Sequence, residues 1–194
     1  MIFRGAEAIV EKIKWHDFTA VSKVRNKRSY RHPELEKKLV VERLRSESRV
    51  IEYLLSKGVS VPSLYEVNSE KFQIIMEFID GMTLEEGLRT NKFRDYLTST
   101  AILISQIHSS GIVHGDPTTS NFMISGQLYA IDFGLSSFDD DAESRASDLR
   151  VFLESLEAHH SEIKGREIFL DAYSDCKSSG EVLKALEVLE LRGR

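Results

Sequence analysis

The 194-residue sequence predicts an α+β fold in two parts, a small antiparallel sheet with one long helix followed by a mostly helical region. Three observations support this prediction. Short strand-like segments surround one long amphipathic stretch before residue 80, apolar residues recur at helical spacing after Gly81, and two brief apolar segments flank Gly126. We therefore expect one part over 1–80 and another over 81–194, since a chain of this length can bury one or two compact cores.

The first part contains four strand candidates and one helix. Apolar and β-branched residues predict strands over 8–13 and 18–24, and again over 63–67 and 72–78. Between these pairs, an amphipathic stretch predicts a helix over 34–57, because a proline precedes it and a glycine ends it. The sheet is therefore expected to carry a single helix.

The second part reads as helices around one hairpin. Thr83 and Glu86 have the spacing of a capping box, and apolar residues at helical spacing predict a helix over 93–110. Two apolar segments, 122–124 and 128–131, predict the hairpin. Helical patterns then return over three further segments: 147–158, 162–176 and 180–191.

The composition favours an intracellular protein. Cys176 is the single cysteine, so an intramolecular disulfide is excluded and an intracellular, cytoplasmic location is the simplest expectation. Charged residues interrupt the first 15 positions, which leaves no apolar stretch long enough for a signal peptide or a membrane span there. We therefore expect no membrane association.

The segment HGDPTTSN over 114–121 and the Asp-Phe-Gly triplet over 132–134 predict phosphoryl transfer. That chemistry needs Mg²⁺ held against phosphates and a carboxylate near the attacking hydroxyl or water. We assign Asp116 as the carboxylate near the attacking group, and Asn121 and Asp132 as the ligands of Mg²⁺. The expected nucleotide is ATP. Either aspartate alone would be an ordinary turn residue, but the joint spacing favours the catalytic interpretation.

A lysine for the phosphates is predicted in the first part. Lys23 lies on the strand predicted over 18–24, with Ala-Val before it as in the kinase pattern V-A-I-K, and Glu47 lies on the apolar face of the following helix. Because a carboxylate facing a core is costly unless it is paired, we expect an ion pair between Lys23 and Glu47. The alternative makes Lys23 one member of a basic run and Glu47 a surface acid. Two other glutamates are second candidates for this pair, Glu42 and Glu52.

Weaker signals concern the rest of the nucleotide. Gly5 sits where a phosphate-covering turn between two strands is expected, with a plain N-terminal turn glycine as the alternative. The backbone around Glu77 and Ile79 is predicted to bind adenine in the crease between the two parts. Met76 is predicted to line the rear of that pocket, with a purely structural core position as the alternative.

Two further polar residues are predicted to support the loop at 114–121. Asp148 is expected to accept hydrogen bonds from the backbone amides of this loop, unless it only begins a helix. His114 is expected to pack beneath the loop rather than to act as a base.

These motifs, together with IDFGLS over 131–136 and KVRNKRSYRHP over 23–33, resemble the kinase subunit of the KEOPS complex. The resemblance spans nearly the whole chain and includes the R-x-E segment that contains Glu47. It implies a minimal, two-lobed protein-kinase-like fold without an A-P-E motif. It also implies an ATP- and Mg²⁺-dependent ATPase or serine/threonine kinase that acts with a catalytic subunit and a small partner subunit in making threonylcarbamoyladenosine on tRNA.

A basic cluster offers a physical counterpart for the implied tRNA partner. Residues 23–49 contain ten lysines and arginines against four glutamates, which suits phosphate binding, although a solvated helix face explains them as well. Arg192 and Arg194 are expected to retain part of the role of the basic tail that the family carries. Pro117 departs from the family pattern, which has leucine there, so the loop geometry is expected to differ slightly.

Two other functions fit parts of the pattern. A small-molecule phosphotransferase of the aminoglycoside-kinase type shares the spacing of HGD and asparagine, but it needs a larger helical region than the 58 residues that follow Ser136. A pseudokinase scaffold needs no metal ligands, and the presence of Asp116, Asn121 and Asp132 argues against it.

Overall fold

The computed structural model describes residues 2–4, 8–26 and 33–192, and the first part of the chain forms a five-stranded sheet. Each pair of neighbouring strands is antiparallel, in the order β1-β2-β3-β5-β4. The four predicted strands are confirmed, and a short strand precedes them. The strands are β1 (Ile2–Arg4), β2 (Ala8–Trp15), β3 (Phe18–Arg25), β4 (Leu64–Asn68) and β5 (Gln73–Glu77).

The single predicted helix is confirmed as α1 (Pro33–Ser56). Pro33 suits the first turn, where a missing N–H breaks no helical hydrogen bond, and Gly58 turns the chain away with a φ of 75°. The first half of α1 packs against the sheet. This contact forms a small apolar cluster of Val40, Leu44, Phe72, Ile74 and Met76.

The second part of the chain contains two smaller sheets. β6 (Met82–Thr83), β8 (Phe122–Ser125) and β9 (Gln127–Ala130) form one sheet, and the turn between its last two strands is at Gly126, as predicted. The other sheet pairs β7 (Ile112–Val113) with β10 (Ser137–Phe138). This second sheet was not predicted, because two-residue strands are too short to show a period in the sequence.

Five helices complete the described part of the chain after α1: α2 (Leu84–Gly87), α3 (Phe93–Ser109), α4 (Ala142–His159), α5 (Gly165–Ser174) and α6 (Ser179–Arg192). The predicted capping box is present at the start of α2. The predicted start of α4 at residue 147 was wrong: it begins five residues earlier, because the Asp141 side chain caps it by accepting from Glu143 N and Ser144 N. Across the described ranges, no helix is long and apolar enough to cross a membrane.

The main hydrophobic core lies among α3, α4 and α5, beneath the β8–β9 hairpin. Phe152 is its centre: its ring contacts Phe122 edge-on at 6.1 Å and lies 4.4 Å from the ring of Phe169. Ile51 and Leu54, in the second half of α1, belong to the same core. One continuous core therefore joins α1 to the helical part and fixes the position of α1.

We expect replacement of Phe152 by alanine to lower the free energy of unfolding by about 3 to 5 kcal/mol, since it leaves a cavity in a close-packed aromatic cluster. Urea denaturation followed by far-UV circular dichroism measures the change. Leu191→Ala is the control, because this side chain is 71% exposed and its loss should change stability by less than about 0.5 kcal/mol. Equal unfolding midpoints for the two variants would contradict the assignment of Phe152 to the core.

Candidate active site

The buried carboxylate of Glu47 binds two cations from strand β3. Lys23 Nζ donates to Glu47 Oε1 at 2.6 Å, and Arg25 Nη2 donates to Glu47 Oε2. Lys23 and Arg25 lie two positions apart on the strand, so their side chains project from the same face of the sheet. The predicted pair between Lys23 and Glu47 is thus present in the structure, whereas the other two candidates, Glu42 and Glu52, are exposed.

Lys23 also contacts the Asp-Phe-Gly segment, 109 positions further along the chain. Its Nζ donates to Asp132 Oδ1 at 2.6 Å. Burial lowers the pKa of Lys23, but the charges of Glu47 and Asp132 outweigh burial, so the net shift of this pKa is upward. Burial raises the pKa of Asp132, but the Lys23 charge and hydrogen bonds from Lys23 and Gly134 N make its net shift downward. Lys23 is therefore a cation and Asp132 an anion at neutral pH.

Asp148 supports the loop at 114–121 by accepting hydrogen bonds from its backbone amides. His114 N donates to its Oδ2 at 2.6 Å and Gly115 N donates to its Oδ1 at 2.8 Å, so the contact predicted from the sequence is present. Asp148 lies in the second turn of α4, and the prediction that it begins a helix was wrong. His108 Nε2 lies 3.1 Å from Asp148 Oδ2, and its other ring nitrogen lies 2.8 Å from the Tyr173 hydroxyl. The loop is therefore tied to α3, α4 and α5.

His114 links the catalytic loop to the strand before Asp132. Asp116 N donates to His114 Nδ1 at 3.3 Å, so the ring proton lies on Nε2, which contacts the Ile131 carbonyl oxygen at 3.2 Å. Burial lowers the pKa of His114, and the nearby charge of Asp148 offsets this only in part. The ring also packs 4.8 Å from that of Phe133. These contacts agree with the predicted packing position.

Asn121 contacts Asp116 and the residue that precedes Asp132. Its Nδ2 donates to the Asp116 carbonyl oxygen at 2.8 Å and to Asp116 Oδ2 at 3.1 Å. The backbone carbonyl oxygen of Asn121 accepts from Ile131 N at 2.9 Å. The hairpin therefore returns the chain to Asn121 one residue before Asp132. The three predicted residues Asp116, Asn121 and Asp132 are thus brought to the open end of one hairpin.

The arrangement leaves hard oxygen atoms available for a cation. Among the described residues, no hydrogen bond reaches Asp116 Oδ1, Asn121 Oδ1 or Asp132 Oδ2, and the Asp132 side chain is 49% exposed. Carboxylate and amide oxygens are the protein ligands that Mg²⁺ prefers, usually one or two of them alongside water and phosphate. The residues present therefore fit a magnesium ion, although no group of three His, Cys, Asp or Glu side chains in the described ranges forms a closed metal site.

Backbone geometry at two positions keeps this site open. Asp132 has a φ of 61°, in the left-handed region, and its Oδ1 accepts from Gly134 N at 3.1 Å. Aspartate tolerates this region better than most residues, and strained positions of this kind cluster at functional sites. Gly115 has a φ of 83°, and a Cβ there would overlap the carbonyl oxygen of Leu135. The loop at residue 115 therefore requires glycine.

The predicted adenine site lies where the chain passes from the sheet to the helical part. Met76 and Ile79 are buried, and Glu77 is tied to Ser63 through its backbone N at 2.8 Å and its Oε2 at 3.1 Å. Within the described ranges, the backbone of Ile79 makes no hydrogen bond, so its polar groups are available to a ligand. Gly5 lies outside the described residues, although β1 and β2 are paired on either side of residues 5–7.

The basic cluster predicted over 23–49 divides into two groups. Lys23 and Arg25 are buried against Glu47 and are not available to RNA, which corrects their inclusion in an RNA-binding surface. Arg192 pairs with Glu143 at 3.2 Å on the surface, and Arg194 lies outside the described residues, as do Lys27, Arg28 and Arg31. The exposed basic residues on α1 are Lys37, Lys38, Arg43, Arg45 and Arg49.

Three residues of the site were not predicted from the sequence. Arg25 was counted only as one of many basic residues, although its position two after Lys23 on a strand was a usable signal. His108 contacts Asp148, and Tyr173 contacts His108, from helices that only the folded structure brings together, and nothing in their local sequence indicates these contacts.

Comparison with known proteins identifies the type of fold and the relatives. Residues 36–164 match the family model of the ABC1 atypical kinase-like domain. The chain is 34% identical to the KEOPS complex subunit Bud32 of Pyrococcus abyssi, over 100% of this chain and 95% of that protein. It is 38% identical to a probable bifunctional tRNA threonylcarbamoyladenosine biosynthesis protein of Methanospirillum hungatei, over 98% of this chain and 35% of that protein. The chain thus spans about a third of the length of such bifunctional relatives.

A solved structure has the same fold. The Rio2 kinase of Chaetomium thermophilum, crystallised as an ADP/Mg²⁺-phosphoaspartate complex, superposes with a TM-score of 0.68 at 15% identity. The match covers 100% of this chain and 71% of that one. The predicted two-lobed, protein-kinase-like α+β fold is therefore confirmed.

We expect Asp148→Ala to destabilise the protein by about 3 to 5 kcal/mol, because it leaves buried donors on His114, Gly115 and His108 without their acceptor. Asp148→Asn keeps the volume and one acceptor and should cost less. Urea unfolding measures both. Asp141→Ala in the same helix is the control, since loss of a cap costs about 1 kcal/mol. A cost for Asp148→Ala no larger than that of the control would show that the loop has another support.

Proposed function

The chain belongs to the family of the KEOPS complex subunit Bud32, and we propose that it is the Mg-ATP-dependent kinase or ATPase subunit of that complex. Its role is to support the formation of threonylcarbamoyladenosine in tRNA, the pathway in the names of the bifunctional relatives. The observation that carries the proposal is the convergence of Asp116, Asn121 and Asp132 beside the buried pair of Lys23 and Glu47. These are the residue types that phosphoryl transfer requires, in one cleft.

In this proposal, ATP lies in the cleft between a lobe formed by residues 1–80 and a lobe formed by 81–194. The adenine ring hydrogen-bonds the backbone at Glu77 and Ile79, with Met76 behind it. The buried position of Met76 and the unpaired backbone of Ile79 support this placement. Lys23 then extends from strand β3 toward the phosphates.

Asn121 and Asp132 would hold the magnesium ion, which supplies charge neutralisation at the β- and γ-phosphates when it is bound. Asp116 orients the attacking water or hydroxyl group and takes up its proton. Asn121 supports this role, because its amide fixes the Asp116 carboxylate through Oδ2 and leaves Oδ1 open to the cleft. The same chemistry serves ATP hydrolysis and phosphorylation of a serine or threonine.

The ion pair between Lys23 and Asp132 places the lysine beside the carboxylate that would bind the metal. Its two charges neutralise one another at 2.6 Å in a partly buried site. With magnesium and ATP bound, Asp132 would hold the metal and Lys23 would bind phosphate oxygens, so the charge of Lys23 would remain compensated.

We expect Asp132→Ala to lower Mg²⁺-dependent ATP turnover at least about 100-fold, because the variant lacks the carboxylate that binds the metal. Turnover is measured for the chain alone and with tRNA and the partner subunits. Asp171→Ala, which removes an exposed carboxylate on α5, is the matched control and should behave as the parent does. Circular dichroism and a thermal melt establish that both variants are folded.

Unchanged turnover in the Asp132→Ala variant would refute the metal assignment. Absence of turnover in the unmodified chain, even with tRNA and partners, would favour a pseudokinase scaffold. Robust phosphorylation of small alcohols or amino sugars without any effect of tRNA would favour a small-molecule phosphotransferase of the aminoglycoside-kinase type.

The partners proposed are the catalytic subunit of the complex, a small partner subunit and tRNA, and we propose a cytoplasmic location for this activity. The exposed basic residues of α1 are suited to bind RNA phosphates, with Arg192 and Arg194 as further candidates at the end of the chain. Lys37, Lys38 and Arg45 all lie on this helix and are exposed.

We expect the triple variant Lys37→Glu, Lys38→Glu and Arg45→Glu to bind tRNA at least about 10-fold more weakly and with a smaller salt dependence, because it loses several phosphate contacts. Filter binding at several salt concentrations measures both quantities. A control triple variant makes the same charge change on exposed lysines elsewhere, at Lys71, Lys177 and Lys184. Equal affinity and salt slope in the two triple variants would show that α1 does not face the RNA.

A further inference from the structure

Arg25 occupies a position that the assignments above leave without a function. It is the last residue of β3, and its side chain is 5% exposed although it carries a permanent charge. Its backbone N donates to the Phe72 carbonyl oxygen at 2.9 Å, and it pairs with Ala8 of β2 in the sheet register. The strand therefore holds Arg25 firmly beside the cleft.

Without Asp132, the buried positive charges around Glu47 would outnumber the negative ones. Two cations, Lys23 and Arg25, face the single carboxylate of Glu47, which is 1% exposed, and each binds a different oxygen. Lys23 divides its interactions between Glu47 and the half-exposed Asp132, whereas Glu47 is the one carboxylate that Arg25 contacts in the described part of the chain. Arg25 is thus the dedicated partner of Glu47.

Arg25 also reaches the segment that contains Asp132. A Cβ built on Gly134 would lie 3.1 Å from Arg25 Nη2 and 3.0 Å from Asp132 Oδ1. The guanidinium group therefore packs against the backbone of the Asp-Phe-Gly triplet at its glycine. The side chain of Arg25, which extends from β3, thus contacts both α1 and the Asp-Phe-Gly segment.

We propose that Arg25 is a positioning residue, which holds Glu47 and helix α1 in place while Lys23 leaves Asp132 for the phosphates of ATP. The inference rests on the proposed function for its catalytic meaning. A lysine that binds phosphate attracts its glutamate less strongly, and a buried carboxylate that loses its partner is strongly destabilised. Arg25 prevents this, because its Nη2 donates to Glu47 Oε2, the carboxylate oxygen that Lys23 does not bind.

A double-mutant cycle between Arg25 and Glu47 tests the inference. If Arg25 acts through Glu47, Arg25→Gln should lower kcat/KM for ATP about 10-fold or more, mainly through a higher KM. The double variant Arg25→Gln, Glu47→Gln should then be no worse than Glu47→Gln alone, since coupled residues are not additive. Arg25→Lys restores the charge and should recover part of the loss. The control is Arg150→Gln, which breaks an exposed arginine–glutamate pair on α4.

Hydrogen exchange provides a measurement that does not depend on turnover. Arg25→Gln should lower the protection of the amides over 44–51 of α1, whereas Arg150→Gln should not change it. This comparison decides the inference even if the parent chain hydrolyses no ATP, a result that would contradict only the proposed function. Losses that multiply in the double variant, or unchanged protection of α1 in Arg25→Gln, would overturn the inference. Only variants that a thermal melt shows to be folded are compared.

Discussion

A carboxylate buried at the meeting point of the sheet and its helix is the constraint on which the site depends. Glu47 has almost no contact with water, so its charge is tolerated only because Lys23 and Arg25 bind it from the same strand. The position of α1 relative to β3 is therefore fixed by electrostatics as well as by apolar packing. Lys23 in turn reaches Asp132, and this contact connects the sheet to the catalytic hairpin.

A second set of buried polar contacts fixes the other half of the site. Asp148 accepts hydrogen bonds from the amides of His114 and Gly115, while His108 contacts Asp148 and is itself held by the Tyr173 hydroxyl. The loop that presents Asp116 has little regular structure of its own, so its shape is inherited from the helices beneath it. A fully satisfied buried network of this kind makes the loop that carries Asp116 rigid.

The sequence was sufficient for the fold class, the hairpin and the pairing of Lys23 with Glu47, because each follows from local spacing or from the cost of a buried charge. Contacts between distant elements were less accessible. The roles of His108 and Tyr173 depend on how three helices pack, which no local period records. The start of α4 was missed because the Asp141 cap precedes the apolar pattern.

The continuity of the core from α1 into the helical part also limits how the cleft changes shape. Ile51 and Leu54 seat the end of α1 among the C-terminal helices, and the pairs at Glu47 tie the middle of the sheet to the same helix. The middle of the sheet is consequently tied to the helical part through α1, by ion pairs at one end and by apolar packing at the other, whereas β1 lies at the edge of the sheet.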